Sequence, residues 1–96
     1  MEVFNDGIMH AQKLDDKWLF LCWENNDIGH LPIQLVKDLR KMEQLVVDNR
    51  MIGWVCNSEK RHKEFHNILR RVGAEVYDED DEFLFFKKEI PNVQPN

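Results

Sequence analysis

Hydrophobic and polar positions fall in blocks whose spacing changes at a few punctuating residues. Two short, weakly apolar runs, Glu2–Asn5 and Ile8–Gln12, flank Asp6-Gly7. Asp-Gly between such runs predicts a hairpin closed by a type I′ turn. Leu14-Asp15-Asp16-Lys17 predicts a second polar turn. Trp18 to Trp23 is then an unbroken apolar run. That continuity predicts a strand covered on both faces rather than one half exposed to water. Glu24-Asn-Asn-Asp-Ile-Gly-His30 is a loop by composition.

The period then changes. Pro32 suits the first turn of a helix, where its missing N–H costs nothing. Leu35, Val36, Leu39, Met42, Leu45 and Val46 recur at helical spacing, and Lys37, Asp38, Arg40, Lys41, Glu43 and Gln44 fill the other face. The helix is expected to stop near Asp48-Asn49. Met51–Cys56 reads as a second buried strand, and Gly53 within it predicts a bulge or the close approach of another segment. Ser58 is expected to cap a second helix. Phe65, Ile68, Leu69 and Val72 form the apolar stripe of that helix, and Gly73 is its expected C′ residue. Glu75–Asp78 and Glu82–Lys88 read as two strands around a turn at Asp78–Asp81. The predicted order is β-β-β-α-β-α-β-β. A strand–helix–strand unit between terminal hairpins requires one parallel crossover, so the fold class is α/β with a mixed sheet. One domain over residues 1–90 and a disordered tail over 91–96 complete the expectation.

Composition narrows the function classes. The net charge of −5 argues against general attraction to nucleic acid or to an anionic membrane. No apolar run approaches membrane length, and no secretory leader is recognised, so a soluble intracellular protein with reduced thiols is expected. Cys22 and Cys56 match neither a disulfide framework nor a metal motif and are expected as core residues. His62 and His66 are four apart on the second helix, where they are expected to face solvent. No HExxH pattern or third ligand accompanies them, so no metal is expected. Charge is unevenly placed. Lys60, Arg61, Lys63, Arg70 and Arg71 make the second helix region basic, and six acids crowd the eight positions from Glu75 to Glu82, among them Asp78, Glu79, Asp80 and Asp81. Two solvated, mutually neutralising faces are one reading. A bipolar surface for a protein partner, or for a second copy of the chain, is the other.

Val55-Cys56-Asn57, Phe65, Leu69 and Gly73-Ala74, followed by Phe83-Leu-Phe-Phe86, together resemble the C-terminal half of the GNAT superfamily of acyl-CoA N-acyltransferases. The chain is most similar to the short, divergent GNAT-like proteins of tailed bacteriophages, including small internal virion proteins. The resemblance implies a reduced GNAT-like fold, a location in the host cytoplasm or the virion, and acetyl-CoA as cofactor if the protein is active. It implies roles for Gly29 and Asn57 in cofactor binding. Glu24, Asp27 and His30, near the end of the central strand, become the candidates for a catalytic base. It also implies a further strand and two helices before the first hairpin. Without them, an acceptor wall would come from a second copy or from the target.

The departures from the family pattern bear on activity. Active members begin the helix after the central strand with a glycine-rich turn whose amides hold the CoA pyrophosphate. The matching positions here are Asp27-Ile-Gly-His30-Leu-Pro32. Asp27 puts a negative charge there, His30 adds bulk and Pro32 deletes a donor; shifting the match by one residue brings Gly29 into a glycine slot. Where many active members place a tyrosine four residues before the helix-ending glycine, this chain has Leu69, and Tyr77 lies beyond the helix. Three functions follow as expectations. The first is a non-catalytic GNAT-like protein acting by protein contact with a virion component or a host protein. The second is a small acyl-CoA-dependent N-acetyltransferase modifying a protein amine. The third is an inhibitor whose acidic hairpin mimics nucleic acid.

Overall fold

The structure, a computed structural model, describes residues 2–5, 9–23 and 32–91. The elements follow the predicted order: β1 (Glu2–Asn5), β2 (Met9–Lys13), β3 (Trp18–Trp23), α1 (Pro32–Asp48), β4 (Gly53–Glu59), α2 (Lys63–Arg71), β5 (Glu75–Glu79) and β6 (Phe83–Glu89). The strands form one sheet in the order β1-β2-β3-β4-β6-β5. Only β3 and β4 run parallel, and α1 makes the crossover between them. The other pairs are antiparallel. No helix among the described residues is long and apolar enough to cross a membrane.

Alternation along the strands sends Met9, Ala11, Leu19, Leu21, Trp54, Cys56 and Phe86 to one face, where all are buried. Leu35, Leu39, Met42 and Val46 of α1 and Phe65 and Leu69 of α2 join the same core, so both helices cover that face. The other face is less covered. Trp18 and Phe20 are half-buried and Cys22 is exposed, while Val55 is buried between its register partners Phe20 and Lys87. This corrects the expectation that β3 is covered on both faces. An all-apolar strand need not be fully buried when helices occupy one side only. Cys22 is likewise not a core residue. It points away from Cys56, which sits opposite Leu21, and both thiols are free.

The turns are built locally. Asp15 Oδ1 accepts from the amides of Lys17 and Trp18 at 2.7 and 2.8 Å. Asp80 Oδ1 does the same for Glu82 and Phe83, both at 2.8 Å. In the first hairpin Asn5 stands opposite His10; the Asp6-Gly7 turn lies outside the described residues, as does the tail from residue 92. Both helices end in Schellman motifs. For α2, the Ala74 amide reaches the Leu69 carbonyl at 2.9 Å and the Gly73 amide reaches Arg70 at 3.0 Å, with Gly73 at φ +97° as expected. For α1, the Met51 amide reaches Val46 and the Arg50 amide reaches Val47, which forces Arg50 to φ 56°. Gly53 fulfils the expected close approach: a Cβ there would lie 2.0 Å from the main-chain oxygen of Lys88.

Two stability changes follow. Gly53→Ala is expected to lower unfolding free energy by about 3 kcal/mol or more, because the obstructing atom is backbone in the central β4–β6 ladder. Arg50→Gly is expected to raise it by roughly 0.5–1 kcal/mol by removing left-handed strain. Urea midpoints of the two variants, read by circular dichroism, check both signs.

Candidate functional site

The parallel β3–β4 ladder pairs Trp18 with Gly53 through Leu21 with Cys56 and goes no further, although β3 continues to Trp23 and β4 to Glu59. The two central strands therefore part at their C-terminal ends. Trp23 shares the helix-covered face with Leu19 and Leu21. Its ring meets Phe65 of α2 edge to face, with centroids 5.1 Å apart. This aromatic pair stands on the helix side of the parting strands. Trp54, by contrast, is fully buried at the paired end of the ladder, opposite Leu19.

The opposite flank of α2 is polar. Lys63, His66, Asn67 and Arg70 recur at i, i+3, i+4 and i+7 and share one side of the helix. With Lys60, Glu79 and Leu84 they line a depression of about 450 Å³ between α2 and the β5–β6 hairpin. Lys60 Nζ is 2.9 Å from Glu79 Oε2 on the rim. The guanidinium of Arg70 sits 5.8 Å above the Phe86 ring centroid. His66 is only 2 % exposed, and its Nε2 lies 2.9 Å from Ser58 Oγ. Burial holds this imidazole below the ordinary histidine pKa; Arg70 and His62 push the same way, and a hydrogen bond to the Glu59 main chain opposes them.

Two expectations are corrected here. Ser58 does not cap α2: it lies inside β4, and His62 takes the N-cap position with no side-chain hydrogen bond. His66 does not face solvent. The missed signal was strand alternation, since Trp54, Cys56 and Ser58 share one parity and Ser58 therefore faces the core. A buried hydroxyl needs a partner, and His66 supplies it.

The expected interaction residues do not form one basic face. Lys60, Lys63 and Arg70 border the depression. Arg61 is exposed and pairs with Glu59. Arg71 lines a separate hollow with Arg40, Glu43 and Lys88, where Glu43 and Lys88 form an ion pair joining α1 to β6. Asp78 and Asp81 are exposed on the hairpin. Asp80 is held by its two turn amides, which keep its carboxyl below the usual carboxylate pKa. The Lys60–Glu79 contact supports the reading of mutually neutralising charges. Asn57 is exposed on β4 opposite Phe85. Its parity turns it away from the helices and the depression. Glu24, Asp27, Gly29 and His30 lie outside the described residues. Among the described residues, no cluster of metal-ligating side chains occurs.

No protein-family model matches the sequence, and no curated protein matches it. Solved structures do. The fold aligns with the N-acetyltransferase PseH of Campylobacter jejuni at a TM-score of 0.63 and 10 % identity, covering 84 % of this chain and 57 % of that one. The structure of PseH in complex with acetyl coenzyme A gives 0.63 and 13 %, covering 90 % of this chain and 63 % of the other. An acetyltransferase from Streptococcus agalactiae gives 0.65 and 14 %, covering 84 % and 57 %. The fold is GNAT-like. At these identities the likeness establishes architecture alone, and the chain spans less than two-thirds of each neighbour. The GNAT-like sheet positions both features above: the parting of β3 and β4, and the α2 flank facing β5–β6.

His66 gives a pH prediction. With a folded pKa below its unfolded value near 6.5, the unfolded state binds more protons as pH falls. Stability is therefore full above that value and is lost as pH falls from it through the lowered folded pKa. Denaturant midpoints are expected to drop on acidification from about pH 7.5 to about pH 5, and His66→Gln is expected to flatten that window.

Proposed function

We propose that this GNAT-like protein works by protein contact rather than by acyl transfer. The observation that carries the reading is the Trp23–Phe65 pair, which stands on the helix side of the place where β3 and β4 separate. An acyl chain reaching the parting from the helix side would meet two large rings packed edge to face. Two further features support the reading. Leu69, at the position where the family resemblance calls for a tyrosine, is fully buried in the core and offers no acid to a leaving thiolate. The sequence from Asp27 to Pro32 departs from the glycine-rich pattern that holds a pyrophosphate. The partner class, a virion component or a host protein met in the host cytoplasm, rests on the resemblance to short phage proteins.

The second reading is a small acyl-CoA-dependent N-acetyltransferase acting on a protein amine. It is favoured by the likeness over 90 % of the chain to a neighbour solved with acetyl coenzyme A. Its catalytic base would be Glu24, Asp27 or His30.

Isothermal calorimetry with acetyl-CoA separates the two readings. No saturable heat is expected up to roughly 1 mM ligand. A micromolar Kd would overturn the contact reading in favour of the enzyme.

A further inference from the structure

The depression between α2 and the β5–β6 hairpin has the chemistry of an anion site. Its α2 wall carries Lys63 and Arg70, both exposed and neither in an ion pair among the described residues. Between them stand the Asn67 amide, a neutral donor, and the buried His66 ring. Arg70 is steadied by the Phe86 face beneath it, so less side-chain freedom is lost when it binds.

The hairpin acids nearest the depression, Glu79, Asp80 and Asp81, act on Lys60. Glu79, the acid on the wall, is met by Lys60 at 2.9 Å. Asp80 is turned into its own loop by the amides of Glu82 and Phe83. Two cations therefore remain uncommitted on one helix face, a match in charge for a single dianion. The hollow, about 450 Å³, is several times larger than a phosphate group alone and leaves room for an organic substituent against Leu84. It also lies on the flank of α2 away from Phe65, apart from the parting of β3 and β4.

The geometry points to a binding site for a phosphate monoester, held by Lys63, Arg70 and Asn67 above His66. Arg70 is suited to two parallel hydrogen bonds to phosphate oxygens, and Lys63 adds a mobile point charge. This site stands whether or not acetyl-CoA binds elsewhere. The phosphate chemistry is common to an ester on a free small molecule and to a phosphorylated side chain of a partner, and the test below separates the two.

The test is a titration by nuclear magnetic resonance, in phosphate-free buffer, with glycerol 3-phosphate and with a short phosphoserine peptide. Saturable binding is expected, together with an upward move of the His66 imidazole titration, since a nearby dianion favours the charged ring. Lys63→Ala with Arg70→Ala is expected to weaken binding by about tenfold or more, while Arg61→Ala, outside the depression, leaves it unchanged. Lys63→Ala alone, at an exposed position, serves if the double variant fails to fold. A preference for the peptide identifies a protein-borne phosphate; equal or tighter binding of glycerol 3-phosphate identifies a free ester. Absence of saturation by roughly 10 mM, or affinity that survives the substitutions, overturns the site.

Discussion

The parallel pairing of β3 with β4 is the constraint on which the rest of the structure depends. Consecutive strands supply the β1–β2, β2–β3 and β5–β6 pairs, and β4–β6 is antiparallel, but the parallel β3–β4 pair cannot be closed by a tight turn. The chain must leave the sheet, cross one face as α1 and return. That crossing lays Leu35, Leu39, Met42 and Val46 over Leu19, Leu21 and Trp54 and so decides which face becomes the core. Once that face is fixed, α2 must cover the remainder of it. Its apolar stripe turns inward toward Trp23 and its basic stripe turns toward the hairpin.

The same constraint explains why the two sides of α2 differ so sharply. Where the parallel ladder stops at Leu21 and Cys56, the sheet offers a gap, and the aromatic rings of Trp23 and Phe65 occupy its helix side. Where β4 continues beside β6, the ladder is unbroken to Glu59 and Phe83. There the helix meets a closed surface on which Phe86 supports both His66 and Arg70. One flank thus buries apolar area at a defect in the sheet, and the other sets charged groups over a rigid floor.

Much of the architecture was legible because periodicity is a strong signal. The helical spacing from Leu35 to Val46, Pro32 at the start and Gly73 at the end all mark features the structure contains. Gly53 pointed to a bulge or a close approach, and the main chain of Lys88 beside it decides for the close approach. The chemistry was less legible. Ser58 satisfies the rule for a helix cap and the rule for a core-facing strand position equally well, and only the pairing of β4 with β6 decides between them. His66 is hidden from the sequence for the same reason, since a polar residue between two basic turns looks solvated until its hydroxyl partner, Ser58, is placed. The apolar run of β3 records composition but not which side the helices take. The loop candidates Glu24, Asp27, Gly29 and His30 fall outside the described residues, so their roles rest on the resemblance alone.

The placement of β6 between β4 and β5 has a consequence for how the protein is made. The innermost antiparallel ladder joins residues 53–59 to residues 83–89. During synthesis, β4 emerges with one edge satisfied by β3 and the other open, and it stays open until β6 has left the ribosome. Phe86, which completes the core, arrives with that strand. A chain interrupted before Phe83 would therefore present an unpaired, largely apolar central edge. The open edge of β4 is thus sealed only when β6, some thirty residues later in the chain, pairs with it.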